Sequence, residues 1–195
     1  MIKTVFFSFI LLLSLALCQV NTESMRGNNQ SPGMTQNMSM DFSYFSGSVE
    51  ILQLMGAYKM HYRSNSNWYG FLAARYNRAF EKDKEDFSNR VFLHLRTARS
   101  ILAHIDIEGF IQKESNHFIN LENRELLGGG LRINQVGNLY WGIGIMHEME
   151  KYNNIFQEQN FIKSTNYINY KTNILQIVEL QNDIYYQFKL ENPED

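Results

Sequence analysis

The strongest constraint on this chain is a two-residue alternation of apolar and polar side chains. It is sustained in segments of about ten to fifteen residues, from residue 38 almost to the end. A helix would gather apolar residues three and four apart, so this pattern predicts strands. One segment places Leu52, Leu54, Tyr58, Met60 and Tyr62 on one face, against Gln53, Lys59, His61 and Arg63. In another, Ala103, Ile105, Ile107 and Ile111 alternate with His104, Asp106, Glu108 and Gln112. Nine such segments can be read, the first (Met38, Met40, Phe42, Tyr44) weaker than the rest.

Segment length decides which kind of β-protein to expect. Strands of soluble domains usually run ~5–6 residues, whereas a tilted strand crossing a bilayer needs ~9–11. The polar face carries whole charges that a water-filled or ion-paired interior tolerates and lipid does not. The exceptions on the apolar parity (Arg78, Asn123, Glu125, His147 and Asn182) fall towards segment ends, where the penalty for a charge falls from ~2–4 kcal/mol to ~0–1. Tyr58, Tyr62, Trp68, Tyr140, Trp141 and Tyr152 are candidates for interfacial girdles. The predicted fold is therefore all-β, an antiparallel up-and-down membrane β-barrel of eight or more strands.

The connections fit that topology. Tight turns are expected at Asn65-Ser66, Ser100-Ile101, Gly137-Asn138 and Glu179-Leu180, and longer loops at 81–86, 115–120 and 151–163. Short periplasmic turns and longer outer loops give this signature. Nine segments conflict with the even strand number usual in bacterial barrels, and the chain reads Glu191-Asn192-Pro193-Glu194-Asp195 where such barrels commonly place a terminal aromatic. Either the first segment is not a strand, or the chain stops before the barrel closes; the second is preferred.

The N-terminus sets the compartment. Lys3 precedes an apolar stretch, residues 5–17, interrupted only by Ser8 and Ser14. That stretch is too short to span comfortably and sits where a signal peptide sits. Cleavage after Cys18 would remove the single cysteine and exclude disulfides. The alternative, lipidation of Cys18, has Leu17 where a lipobox wants a small residue. The expected organisation is a signal peptide over 1–18, a flexible periplasmic lead-in rich in Asn, Gln, Ser and Gly over 19–36, and a β-barrel domain over 37–195. The expected location is the outer membrane of a Gram-negative cell. The expected partners are the bilayer and the assembly machinery, with a small solute unidentified. A net charge of −2 offers no basic face for nucleic acid.

No catalytic or metal-binding set and no cofactor is expected. His147-Glu148 lacks the second histidine of a zinc motif, since Lys151 stands there. Gly128-Gly129-Gly130 lacks the Lys-Ser/Thr of a phosphate loop. The candidate site is a polar network in the lumen: Arg75, Arg90, His94, Arg96, His104, Asp106, Glu108, Arg132, Glu148 and Glu150. Its plain reading is a ladder of ion pairs that neutralises charges in a narrow interior. The sharper reading sets His94 or His104 against Asp106 or Glu108 as a base oriented by a carboxylate.

The stretches Leu121-Glu122-Asn123-Arg124-Glu125-Leu126-Leu127-Gly128-Gly129-Gly130-Leu131-Arg132 and Tyr140-Trp141-Gly142-Ile143-Gly144-Ile145-Met146-His147-Glu148-Met149-Glu150 resemble a family of uncharacterised outer-membrane β-barrels typified by the salt-induced outer membrane proteins. Phe45-Ser46-Gly47-Ser48-Val49 resembles the opening strand of that family, here shorter. Tyr185-Tyr186-Gln187-Phe188 with Pro193-Glu194-Asp195 resembles a point from which members continue through further strands. The resemblance covers roughly residues 40–195. It implies an outer-membrane barrel, carries over no catalytic residue, and leads to a role in envelope integrity or in passage or binding of a small solute. The alternatives are a lipid-modifying barrel enzyme and a soluble secreted barrel holding an apolar ligand.

Overall fold

The computed structural model describes residues 22–27, 31–81, 88–155, 157–175 and 178–190. The stretch expected to be a signal peptide, residues 1–18 with Cys18, lies outside the described residues. Nine antiparallel strands follow one another up and down in a single sheet: β1 (Gly33–Phe45), β2 (Ile51–Arg63), β3 (Trp68–Glu81), β4 (Ser88–Leu102), β5 (Ile105–Asn116), β6 (Leu121–Val136), β7 (Leu139–Tyr152), β8 (Gln159–Leu175) and β9 (Val178–Lys189). The sheet order is the chain order, so β1 and β9 are its edges and the sheet is not closed. No described helix is long and apolar enough to cross a membrane.

The weak first segment is a full strand. It pairs with β2 over its whole length, from Gly33↔Arg63 to Phe45↔Ile51, with Thr35, Asn37, Ser39, Asp41 and Ser43 on the inner parity and an outer parity whose apolar run is interrupted by Gln36. The expected lead-in over 19–36 is accordingly corrected at its C-terminal end, since Gly33 already belongs to β1. Strands run 12 to 17 residues. At ~3.3 Å per residue and a tilt of ~40°, twelve residues cover roughly the 25 Å apolar band of a membrane barrel.

The short connections gather at the end where β1 begins, called here the near end; the long ones lie at the far end. Asn67 and Gly137 adopt positive φ in near-end turns, the left-handed geometry that Asn and Gly accept at least cost. Two expected turns are displaced. The β4–β5 turn is Ala103-His104 rather than Ser100-Ile101, and β9 already starts at Val178, before Glu179-Leu180.

The two faces of the sheet are unlike. On β4, Phe92, His94, Arg96 and Ala98 are buried while Val91, Leu93, Leu95 and Thr97 are exposed. The same inversion holds on β7, where Met146, Glu148 and Glu150 are buried and Trp141, Ile143 and Ile145 stand out. Exposed aromatics flank the apolar band. Tyr62, Trp68, Trp141 and Tyr170 lie on strand segments at the near end, and Phe42, Tyr44 and Phe188 on segments at the far end. Tyr140 and Tyr152 depart from the expected girdle and turn inward: Arg132 lies 3.8 Å over the Tyr140 ring, and the Tyr152 hydroxyl donates to Glu150 at 3.4 Å.

The sheet rolls so that its polar face lines an interior. Tyr167 on β8 reaches Glu108 on β5 at 3.2 Å, which a flat sheet would forbid. Glycines permit the roll. A Cβ on Gly128 would meet Phe110 Cζ at 2.5 Å and Met146 Cβ at 2.7 Å, and one on Gly142 would overlap the Tyr167 ring. Gly130 and Gly144 are register partners across β6 and β7, so close that a Cβ on either would strike the other strand's backbone. Glycine kinks of this kind coil a sheet towards closure.

Candidate functional site

The interior contains two charged layers with an aromatic layer between them. In the far half, Glu114 on β5, Arg124 on β6, Glu148 and Glu150 on β7, Lys163 on β8 and Arg90 on β4 form one network. Arg90 donates to Glu114 at 2.8 Å. Arg124 reaches Glu148 at 3.2 Å, Glu150 at 2.5 Å and Glu114 at 3.9 Å. Lys163 pairs with Glu148. Each carboxylate faces a cation, which is what burial requires, because an unpaired charge costs several kcal/mol in a low dielectric.

The middle layer is built around His94, which is almost fully buried. Its ring stacks on Phe92 and Phe110 at 6.3 and 5.9 Å and packs against Phe71 at 5.4 Å. Nδ1 pairs with Gln112 Oε1 at 3.1 Å. Among the described residues Nε2 has no hydrogen-bond partner. No described carboxylate orients this imidazole, so among the described residues the arrangement lacks the second member of a base–carboxylate pair.

The near half contains the feature that sequence patterning does not predict. Thr22–Gly27, including a single 3-10 turn over Glu23–Met25, lies inside the rolled sheet as a strap. The Glu23 carboxylate meets Arg26 at 3.1 Å, Arg96 at 2.5 Å and Arg132 at 3.6 Å. Its backbone N–H donates to the Tyr185 hydroxyl at 3.0 Å. Arg96 also donates to Thr22 Oγ1 at 3.0 Å. Arg26 donates to Glu108 at 2.6 Å, and the Gly27 N–H donates to the Tyr69 hydroxyl at 3.0 Å, itself 3.0 Å from His61 Nδ1. Met25 is buried in a cluster with Tyr69, Phe71, Ala73, Phe92 and Ala98. The strap thus ties β3, β4, β5, β6 and β9 together across the interior.

Electrostatics hold the strap in its charged form. Burial alone would raise the Glu23 carboxyl, but Arg26, Arg96 and Arg132 outweigh it and pull the group down to about 2. For Arg26 burial favours the neutral form, and the Glu108 and Glu23 carboxylates more than reverse that, holding the guanidinium firmly charged.

Of the ten residues expected in the lumen network, His94, Arg96, Glu108, Arg132, Glu148 and Glu150 are buried there. Arg90 joins the far network from a partly exposed position. Three depart from expectation. Arg75 sits on the inner parity of β3 but is exposed, towards the open β1–β2 side. Asp106 is half-buried, and although Arg132 is its register partner, it accepts from Ser100 Oγ at 2.6 Å. His104 is not in the lumen: the displaced turn leaves it exposed at the near rim, where its carbonyl accepts from the Asn134 N–H at 2.9 Å. His94 and His104 are therefore not brought together. Patterning missed Glu23, Arg26, Glu114, Arg124 and Tyr167. The last three sit on inner parities and were open to parity counting; Glu23 and Arg26 were not, since nothing periodic surrounds them.

Among the described residues no group of three His, Cys, Asp or Glu side chains is placed to hold a metal ion. No protein-family model matches the chain, and no curated protein matches it. The resemblance to the salt-induced outer-membrane family therefore rests on the quoted motifs alone.

Proposed function

We propose that this chain is an outer-membrane β-barrel protein of a Gram-negative cell, exported by its N-terminal signal peptide and inserted by the outer-membrane assembly machinery. Its role is in envelope integrity, with an interior filled by side chains and by the strap rather than held open as a wide pore. One observation carries this reading: the sheet exposes its apolar side chains and buries its charges. Leu93, Leu127 and Ile184 are 45%, 62% and 63% exposed, while Glu114 and Glu148 are each 3% exposed. In water that arrangement would leave a large apolar surface uncovered, far beyond the few hundred Å² usual for a soluble monomer. In a bilayer it is the favoured one.

The same observation weighs against a soluble barrel for an apolar ligand, because the concave face offers charges where that ligand would need hydrocarbon. A lipid-modifying enzyme is weakened because, among the described residues, neither His94 nor His104 has a carboxylate partner: His94 pairs with Gln112, and Asp106 accepts from Ser100. Binding of a small solute within the lumen remains compatible with the envelope role.

The test is substitution at mid-height of the outer face. Leu95, at the centre of β4 and 43% exposed, is replaced by Arg, and the variant is compared with wild type for recovery from the outer-membrane fraction and for a heat-shifted gel band. In a bilayer the change costs ~2–4 kcal/mol and the folded band is depleted. In a protein whose outer face meets water, L95R is neutral and the wild type is extracted without detergent, which would sink the membrane reading.

A further inference from the structure

The near-half cradle is more than a counter-charge for one glutamate. Arg96 and Arg132 stand on alternate strands with Glu108 of β5 between them, their side chains each 6% exposed. Both keep a buried Nε–H that no described residue accepts. Two guanidinium groups with spare donors, fixed by cation–π contacts to Phe110 at 5.2 Å and Tyr140 at 3.8 Å, form a carboxylate receptor in chemical terms. Glu23 is the carboxylate now in it, and it is delivered by the chain rather than by the sheet.

The cradle carries one excess positive charge that the strap does not change, because Glu23 enters together with Arg26. A free carboxylate in the strap's place would therefore bring the cradle to neutrality. With the strap in place, Glu23 and Glu108 stand among Arg26, Arg96 and Arg132. Withdrawal removes Glu23 and Arg26 together and leaves two arginines beside one glutamate. The neighbouring carboxylates are engaged elsewhere: Asp183 accepts from Asn169 at 2.5 Å and Gln181 at 2.8 Å, and Asp106 from Ser100. Of the hydroxyls beside the carboxyl, Tyr167 already donates to Glu108 at 3.2 Å and Tyr185 accepts the Glu23 N–H at 3.0 Å, so the spare donors are those of the two arginines.

We propose that the near half of the lumen is a binding site for small carboxylates, that Glu23 occupies it as a built-in ligand, and that the Thr22–Gly27 strap withdraws when a free carboxylate takes its place. The site rests on the geometry of the concave face, whether or not the sheet lies in a bilayer.

Trypsin provides the readout without altering the chain. The bond after Arg26 lies at the half-buried end of the strap, with the Gly27 N–H held on the Tyr69 hydroxyl and the Arg26 side chain on Glu23 and Glu108. It is expected to be cut readily only when the strap leaves, so cutting at Arg26-Gly27, followed by mass spectrometry, reports withdrawal. The folded full chain in detergent is digested in acetate and in potassium chloride of equal ionic strength. Acetate is expected to speed this cut about tenfold over chloride; E23Q is expected to be cut as fast in chloride alone, with no further response to acetate; R96Q/R132Q is expected to lose any preference for acetate over chloride. Equal rates for the wild type in acetate and chloride would overturn the proposal, as would an E23Q chain as resistant as wild type. If E23Q does not give the heat-shifted folded band, the wild-type acetate comparison decides alone. Failure of the membrane reading shows separately, as a wild type that is soluble without detergent.

Discussion

Glu23 shows how much one side chain can organise when three guanidinium groups converge on it. Because its carboxyl is held at about 2 against an ordinary 4.5, the sign of its pH dependence is fixed. A depressed carboxylate stabilises the folded state above its unfolded value, and that contribution disappears as pH falls from about 4.5 through about 2. Its size is on the order of 3 kcal/mol, lost while all three arginines stay charged. Unfolding temperature in detergent, followed for wild type and E23Q from pH 7 to pH 2, checks this. Wild type is expected to be the more stable at pH 7 and the two curves to converge near pH 2; a constant offset across that range would mean that Glu23 does not titrate with the fold. None of this was legible in the sequence, since the residues before β1 have no period, and a segment without a period gives no face to assign. His104 failed for the opposite reason. Its parity was clear, but a turn placed a few residues early put it on a strand that begins only at Ile105.

At the scale of elements, alternation made the sheet readable, because a period of two assigns every residue of a strand to a face at once. Arg78, Asn123, Glu125, His147 and Asn182 were read as outer-face residues near the rims, and the register places them there. On β5 and β6, for instance, Lys113 and Glu125 are cross-strand partners on the outer face, 2.7 Å apart. What alternation could not supply is curvature, which resides in the glycines. Gly128, Gly130, Gly142 and Gly144 share the inner parity of β6 and β7, and their missing side chains leave room for Phe110, Met146 and Tyr167 and let the two backbones close up. Gly142→Ala is therefore expected to displace the Tyr167 ring from Glu108 and to cost about 1–3 kcal/mol, the usual range for overpacking. Gly56→Ala, on the outer face of β2 with nothing within 4 Å of its Cβ, is expected to be neutral or slightly stabilising. The midpoint of the heat-induced gel shift compares the two. Equal midpoints would mean that the sheet rolls for some reason other than these vacancies.

For the whole molecule, strand direction decides how the sheet completes itself. Consecutive strands alternate, so β1 and β9, eight steps apart, run the same way from the near end to the far end. Joined directly, they would pair in parallel; a strand antiparallel to both must run as β2 and β8 do. In the proposed bilayer setting neither edge can face hydrocarbon unpaired, because each unsatisfied backbone group there costs several kcal/mol. Both edges are shaped for a neighbour: β1 sets Met38, Met40 and Phe42 outward against Asn37, Ser39 and Asp41, and β9 sets Ile184, Tyr186 and Phe188 outward against Asp183, Tyr185 and Gln187. The antiparallel ladder is the stronger of the two per residue, so an intervening strand supplied from outside the nine is the expected solution. Distance separates the cases: direct neighbours lie ~5 Å apart and strands flanking a third lie ~10 Å apart, while a disulfide needs Cα atoms within about 7 Å. Cysteines placed in pairs, one at Thr35, Asn37 or Ser39 and one at Asp183 or Gln187, are oxidised in bilayers. No pair is expected to form an intrachain disulfide, whereas a bismaleimide of about 10 Å reach is expected to link at least one pair within a single chain. A disulfide at any pairing would instead establish parallel closure of β1 on β9, and would make nine strands the whole wall of the barrel.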